Sequence, residues 1–531
     1  MKTIKHPEDK LQPALFADED LGWWAMRLSP KALRKLEGGW QGMFRRSALK
    51  LMPAQKLGEH FSAHTGRPTK ELYSMAGLML IADFKNLTGE QAAQAYTFDA
   101  SVQYALNLPR DGQYLSARSV DNYRRLFRED EHAQQVFSEV SAALVKELEL
   151  NIKVQRLDST HVLSNMAKLG RQQMLATSVR RFLVVMQKQH APEHGRLDGE
   201  LRGRYEAAES RLFGQGTKNP LPREEALQQI GADMSALIVS FARHEAISKE
   251  PAYVAVARLF AEHFERSEQP PGTIKLRRKS QDAQGGSIHT LQNTSDVGAG
   301  YSGHKGSGYQ AQIAQALPPR DGKGNIEGPG LITALVPQSA SVRDSEALME
   351  VLDHLEQSGL KALEMSADTI YGSDANVQSS ARRGVEIISP VGGGAPCKDE
   401  PTHRPSRKER EAKERLVLRR KEETGEAWRK RYSVRSGIEG LHHALDLVTG
   451  FKRLRVRGLK AVSMALLLKA AGWNIMAAAQ IRARRQRQAR AKAPAFIMTA
   501  LAWALERLTR LIRTVSKWHP AHASSYLIAP C

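Results

Sequence analysis

The spacing of apolar residues predicts a helical N-terminal part followed by an α/β part. From about residue 29 to residue 150 the apolar positions recur at helical spacing, with a capping box at Thr88 and Gln91 and a helix start at Ser116. Shorter apolar runs predict strands at about residues 152–157, 309–317, 331–336, 362–367 and 385–391. A helix that begins near Asp344 follows the third strand, and this order is typical of an α/β domain with a mixed sheet.

Two polar segments interrupt this pattern. Residues 171–285 are rich in Glu, Arg and Gln at helical spacing, which predicts a helical insertion within the α/β domain. Residues 393–431 are dominated by Arg, Lys and Glu and predict a charged excursion. The chain therefore divides into a helical region (1–150), a central domain (151–460) and a basic helical C-terminal region (461–531).

The most apolar segment predicts a buried helix. Residues 461–479 are rich in alanine, but Lys469 and Asn474 interrupt them, which disfavours a membrane span. No apolar signal segment is apparent near the N-terminus, and two cysteines in 531 residues exclude a disulfide framework. We expect a protein of a reducing compartment such as the cytoplasm, with no membrane partner.

The charge balance indicates a polyanionic partner. Lys and Arg number 78 against 57 Asp and Glu, a formal net charge of +21, which favours nucleic acid. In the N-terminal region, Arg124 and Arg125 lie in a basic helical segment and are candidates for DNA contacts. An ordinary helical bundle with a solvated basic face explains that segment equally well.

Three carboxylates are candidates for catalysis. Asp158 and Asp368 each end a predicted strand, where α/β proteins place functional groups, and carboxylate oxygens suit Mg²⁺ or Mn²⁺. Glu439 shares a predicted helix face with Tyr432 and Arg435, because the three are spaced by three and four residues. Taken singly, each aspartate is more typical of a turn or cap, and an exposed Arg435–Glu439 ion pair would explain the helix face.

Taken together, these residues resemble a known family. The spacing Tyr432-x2-Arg435-x3-Glu439 resembles the signature around the catalytic glutamate of DDE-type bacterial insertion-sequence transposases, and residues 450–459 resemble the run that follows it. Residues 158–161 and 367–373 are similar to the segments that hold the first and second catalytic aspartates.

The resemblance implies a ribonuclease H-like catalytic core with a mixed sheet, interrupted by the helical insertion and flanked by helical N- and C-terminal regions. It implies that Asp158, Asp368 and Glu439 hold two Mg²⁺ or Mn²⁺ ions, with Tyr432 and Arg435 in support. The expected partner is double-stranded DNA, both transposon ends and target. Synapsis of two ends implies at least a homodimer, in the bacterial cytoplasm at the nucleoid.

One position departs from the family pattern. Many relatives carry lysine seven residues after the glutamate, where this chain has Asp446. That lysine contacts DNA near the cleavage site in the family, so its role here passes to other cations or is lost. Candidates for DNA contacts are the basic residues of the following run, Lys452, Arg453, Arg455 and Arg457.

Two other functions fit parts of the sequence. A tyrosine recombinase would use Tyr432 as nucleophile, but the nearest His-x2-Arg group, His263 and Arg266, is remote in sequence. A domesticated, catalytically inactive DNA-binding protein would keep the fold without the chemistry. Asp296 and Asp374 are alternative carboxylates for the site.

Overall fold

The computed structural model describes most of the chain. The described residues are 28–62, 69–108, 114–167, 169–207, 210–214, 218–266, 274–277, 290–392 and 406–492, with Trp24, Trp503 and residues 505–510. The first part of the charged excursion (393–405) and most of an amphipathic segment near the C-terminus lie outside them.

The N-terminal region is helical, as the apolar spacing predicts. The capping box of Thr88 and Gln91 is present, and Ser116 caps the helix that it was expected to start. The helices in its described part are α1 (Pro30–Gly38), α2 (Trp40–Met43), α3 (Ala54–Gly58), α4 (Leu72–Phe84), α5 (Gly89–Phe98), α6 (Ala100–Ala105), α7 (Ala117–Glu129) and α8 (His132–Glu147).

A six-stranded mixed sheet lies at the centre of the described chain. Its strands are β1 (Val154–Val162), β4 (Gly300–Ser302), β5 (Gly306–Ala316), β6 (Ile332–Ser339), β7 (Glu364–Ser366) and β8 (Glu386–Ile388). The order is β4-β5-β1-β7-β8, and β6 also pairs with β5. β5 runs antiparallel to β1 and β6, whereas β1, β7 and β8 are mutually parallel, so the α/β prediction with a mixed sheet holds.

The first strand is longer than its apolar pattern predicts. β1 continues for four residues beyond Asp158, so Asp158 lies within the strand and not at its end. The apolar pattern does not predict this continuation because its residues are mostly polar. It is a strand nevertheless, since β5 pairs with it as far as Val162 and backbone pairing does not require apolar side chains. Asp368 does follow the end of its strand, two residues after Ser366.

A mostly helical segment separates β1 from β4 in the chain. It comprises α9 (Arg171–Gln189), α10 (Ala191–Arg196), α11 (Gly199–Glu206), α12 (Arg223–Phe241), α13 (Glu245–Ser248), α14 (Pro251–His263) and a hairpin of β2 (Phe264–Arg266) with β3 (Ile274–Leu276). Its apolar side chains form a cluster of their own, which includes Phe182, Tyr205 and Ile230.

The remaining helices lie after β6. They are α15 (Leu348–Gln357), α16 (Asp374–Arg382), α17 (Arg407–Glu423), α18 (Glu426–Ser433), α19 (Gly437–Thr449) and α20 (Leu459–Lys492). α17 buries no side chain, and it is attached by guanidinium groups instead. Arg419 donates to the backbone oxygens of Gly372 and Ser389 at 2.8 and 3.0 Å, and Arg415 forms two hydrogen bonds with Asp374.

Helix α20 packs in the main core. In the part of the chain that can be described, it alone is long and apolar enough to span a membrane, and 89% of its apolar window is buried within the protein. The prediction of a buried helix over residues 461–479 is confirmed. The N-terminal helices, the sheet, α19 and α20 all contribute side chains to one hydrophobic cluster.

The two polar residues that interrupt this apolar helix join the surrounding elements. Asn474 exchanges two hydrogen bonds with the backbone of Ile332 in β6 and donates to Ser141 in α8. The Lys469 ammonium is 2% exposed and donates to the backbone oxygens of Asp83 and Thr449, at the C-terminal ends of α4 and α19. Both side chains satisfy backbone groups that would otherwise be buried without partners.

Burial lowers the pKa of Lys469 to about 8, and the nearby Asp83 carboxylate opposes this shift. Below pH 8 the folded chain carries the full cost of the buried charge. Between about pH 8 and 10.5 the folded state releases the proton while the unfolded state keeps it, so the free energy of unfolding rises with pH. Urea titrations should show wild type gaining about 3 kcal/mol relative to Lys469→Met across that window.

Lys460→Met removes an exposed lysine from the same helix and is the matched control. A relative gain of similar size against this control would contradict the assignment to Lys469.

Candidate active site

Two carboxylates meet where β1 and β7 run side by side. The parallel register pairs Val154 with Glu364 and Arg156 with Ser366. The pairing ends there, and Asp158 and Asp368 each lie two residues beyond it. Asp158 lies two residues after Arg156 in the same strand, so these two side chains share a face.

A single guanidinium bridges these aspartates. Nη2 of Arg435 lies 3.6 Å from Oδ1 of Asp158 and 3.4 Å from Oδ2 of Asp368. Burial raises the pKa of Asp158; the Arg435 charge opposes this and the Asp368 charge adds to it. The arginine therefore offsets the repulsion between two carboxylates that the sheet holds together.

The start of α19 is fixed to the sheet beneath this arginine. Arg156, which is 7% exposed, donates to the backbone oxygen of Val434 at 3.1 Å and to Gln315 of β5 at 2.8 Å. A Cβ atom on Gly437 would lie 2.1 Å from Nη1 of Arg156, so glycine permits the close approach. This contact sets the position of Arg435, which lies between Val434 and Gly437 in the chain.

Tyr432 completes the polar side of the carboxylate pair. Burial raises the pKa of its hydroxyl, and Arg435, Asp368 and Asp158 are close enough to act on it in turn. Its ring stacks on Trp428 with centroids 5.0 Å apart and an interplanar angle of 20°. The predicted supporting residues, Tyr432 and Arg435, are thus next to the two aspartates.

Glu439 lies in the first turn of α19 and is exposed. Among the residues that the structure describes, no group of three His, Cys, Asp or Glu side chains is arranged to hold a metal ion. The structure thus pairs the aspartates with Arg435 without bringing Glu439 into a ligand cluster. Arg435 bonds to the aspartates and not to Glu439, which differs from the alternative of a simple helix-surface pair.

Helix α19 packs against the protein through Ile438, Leu441 and Leu445, which are buried. Val448, at the same helical spacing, is 41% exposed, whereas the polar His442 is 7% exposed. Burial, together with the charges of Lys452 and Lys305, lowers the pKa of His442 to about 4. His442 is therefore a neutral, buried side chain one turn after Glu439.

A hydrogen-bonded network that the sequence did not reveal supports the aspartates from β5. Tyr371 donates to Gln312, Gln312 donates to Asp344 at 2.9 Å, and Ser159 donates to Asp344 at 2.8 Å. Burial raises the pKa of Tyr371 well above its usual value, and the charges of Asp344 and Asp158 add to this. Gln312 is a polar residue in a fully buried stretch of strand, and that was the available signal.

The two alternative carboxylates have structural partners. Asp296, which is 2% exposed, accepts hydrogen bonds from the Tyr309 hydroxyl and from the backbone of Gly458. Asp374 is held by Arg415. Neither forms part of the pair at Asp158 and Asp368.

The basic run after α19 is extended and lies along the end of β1. Leu163 donates to the backbone oxygen of Lys452 at 2.8 Å and accepts from Leu454 at 2.8 Å. Arg453, Arg455 and Arg457 are exposed, whereas Leu454 is buried. We call Lys452, Arg453, Arg455 and Arg457 the basic strip. Asp446 accepts from the backbone of Lys452 at 2.8 Å, so Asp446 fixes the start of the strip.

Other predicted DNA contacts differ in accessibility. Arg125 is exposed and pairs with Glu129. Arg124 is half-buried, and its charge opposes the rise that burial gives to the pKa of Asp83. In the basic C-terminal region, Arg482 and Arg485 of α20 pair with Glu147 and Glu327, so these two arginines have a structural role.

The geometry defines an α/β protein whose sheet presents two carboxylates beneath an arginine. A family model described as "Transposase DDE domain" matches residues 395–479, which include Tyr432, Arg435 and Glu439. The match supports a DDE-type transposase, a class of protein that acts on DNA. No curated protein and no solved structure matched the chain.

Substitution of Gly437 tests the contact that positions Arg435. Gly437→Ala places a Cβ against the buried Arg156 guanidinium and should lower the free energy of unfolding by about 1–3 kcal/mol, the usual cost of overpacking. Urea denaturation measures this change.

Gly440→Ala is the matched control, because a Cβ at Gly440 meets nothing within 4 Å on the same helix. The control should be neutral or gain up to about 1 kcal/mol. Equal effects of the two substitutions would show that the Arg156 contact does not constrain α19.

Proposed function

We propose that this chain is a DDE transposase that cleaves DNA at the ends of an insertion sequence and transfers the 3′ ends to target DNA. The observation that carries the proposal is the placement of Asp158 and Asp368 side by side, bridged by Arg435. The family match supports it, since Arg435 and Glu439 lie within the matched segment.

The donor set fits divalent cations. The guanidinium between the two aspartates is a stand-in cation, and carboxylate oxygens suit Mg²⁺ or Mn²⁺. We propose Asp158, Asp368 and Glu439 as ligands of two ions, which would activate the attacking oxygen and stabilise the leaving oxygen. For Glu439 to join, the first turn of α19 has to approach the aspartates as Arg435 leaves them.

The protein residues then have separate roles. Asp158 lies in β1 and Asp368 lies two residues after β7, so the paired strands keep the two aspartates close together. Arg435, released from the carboxylates, is available to bind a DNA phosphate, and Tyr432 orients it. Water attacks the phosphodiester at the transposon end to free a 3′-OH, and this hydroxyl then attacks the target strand.

We further propose a ribonuclease H-like catalytic core within residues 151–460. The mixed sheet with β1 between antiparallel β5 and parallel β7 supports this proposal. The separate hydrophobic cluster between β1 and β4 supports the proposal of an insertion over residues 171–285. We propose domain boundaries at residues 150 and 460. The described helices on either side of these boundaries contribute side chains to the same hydrophobic cluster as the sheet.

The basic strip is the proposed path of the DNA backbone. Leu163, beside Arg453, is five residues from Asp158, which in a strand corresponds to about 17 Å. That is about five base steps of a duplex. We propose Arg125 as an additional contact from the N-terminal helices, and a half-buried Arg124 as a weaker one. Pairing of two transposon ends would require at least a dimer, acting at the bacterial nucleoid.

Two alternatives make different predictions. For a tyrosine recombinase, Tyr432 would need both Arg and His groups nearby. Arg435 is near Tyr432, but its other charged neighbours are Asp368 and Asp158, and His263 bonds to Arg171. A domesticated DNA-binding protein would bind the ends and never cleave them.

Cleavage of labelled DNA carrying the element's own terminal inverted repeats tests the proposal. With Mg²⁺ or Mn²⁺, wild type should nick at the ends, and Asp158→Ala, Asp368→Ala and Glu439→Ala should each lose at least about 10²-fold in rate, because each removes a proposed metal ligand.

Asp353→Ala, which removes an exposed carboxylate paired with Arg383, is the control and should cleave normally. Cleavage that survives chelator would favour the tyrosine mechanism, and binding without cleavage would favour the domesticated protein. Full activity of any one carboxylate variant would remove that residue from the site.

The salt dependence of DNA affinity tests the basic strip. If each of Arg453, Arg455 and Arg457 neutralises one phosphate, their joint replacement by Gln should reduce the slope of log K against log salt by about 3. Arg320→Gln with Lys323→Gln removes two cations beyond the far end of β5 and is the control. An unchanged slope in the triple variant would place the DNA elsewhere.

A further inference from the structure

The turn between β4 and β5 brings a lysine to the carboxylate site. Lys305 lies in this turn, and its Nζ donates to Oγ of Ser159 at 2.7 Å and lies 3.6 Å from Oδ2 of Asp344. Ser159 directly follows Asp158 in β1, so the two side chains leave opposite faces of the strand. The Lys305 charge is nevertheless close enough to act on both Asp158 and His442.

The chain has to bend sharply to make this contact. Ser159 pairs with Gln312, which is seven residues from Lys305, so a straight strand would separate the two by about 24 Å. Gly306 and Gly308, with φ of +87° and +146°, allow the hairpin to curl back. A Cβ at Gly308 would lie 2.6 Å from the backbone oxygen of Val162, so the bend is pressed against β1.

The ammonium keeps access to solvent. The Lys305 side chain is 33% exposed, and its partner Asp344 is already satisfied by Ser159 and Gln312. The lysine is therefore not needed to satisfy a buried group.

We propose that Lys305 binds a phosphate of the DNA strand at the carboxylate site. The Lys305 ammonium thereby supplies the positive charge that Asp446 cannot. The proposal rests on the proposed function for the identity of the ligand. Lys305 is assigned a phosphate contact and no part in the chemistry of bond breaking. The contact comes from the β4–β5 turn and not from α19, where the family places its lysine.

A double-mutant cycle between protein and DNA tests this contact. Duplexes ending in the element's terminal inverted repeat carry one methylphosphonate, moved through the positions that flank the cleavage site. Affinity is measured in chelator, where no cleavage occurs, for wild type and Lys305→Gln. At one position the methylphosphonate should weaken wild type roughly 10- to 100-fold, as expected for a charge-assisted hydrogen bond.

Lys305→Gln should bind unmodified DNA as weakly as wild type binds that methylphosphonate duplex. The affinity of Lys305→Gln for the methylphosphonate duplex should be little lower still. Lys305→Arg should restore the sensitivity, and Asp344→Asn should retain it, because a purely structural Lys305–Asp344 pair predicts the same defect in both partners. Lys323→Gln, at the far end of β5, should behave as wild type.

Independent losses at every position, or wild-type affinity of Lys305→Gln, would overturn the proposal. Cleavage by wild type in Mg²⁺ is scored separately. A chain that binds with the expected coupling but never cleaves would refute the transposase function while retaining the phosphate contact.

Discussion

The site depends on the parallel pairing of β1 with β7, because that register sets two carboxylates side by side on a rigid surface. Two negative charges so placed repel each other, and the surrounding residues reduce this cost. Arg435 lies between them, and Arg156 fixes the backbone just before that arginine. The glycine at 437 then follows from packing, since no larger residue fits over Arg156.

A second constraint joins the helical N-terminal region to the sheet. The contacts of Lys469 and Asn474 hold α4, α8, α19 and β6 around one helix. Because these groups are buried, their hydrogen bonds fix the relative positions of the elements more specifically than apolar packing alone. Movement of α19, which carries Glu439, is therefore coupled to the helix that organises the main core.

The sequence was sufficient to predict the mixed sheet, most strands and the buried helix, because apolar periodicity reports which faces are covered. It was insufficient for the end of β1, since polar residues there are paired by backbone alone. The meeting of Asp158 with Asp368 depends on register across 210 residues of chain, which local patterns do not encode. The contacts of Lys305 depend on a bend of the β4–β5 hairpin, which the glycines at 306 and 308 permit.

The helical segment between β1 and β4 has a hydrophobic cluster separate from that of the sheet. A substitution that weakens packing in one cluster need not weaken packing in the other, so the two clusters can accumulate substitutions at different rates. A lineage can thus remodel residues 171–285, in length as well as composition, while the geometry at Asp158 and Asp368 is conserved. Such modularity gives the protein a region in which new partners can be acquired without rebuilding its chemistry.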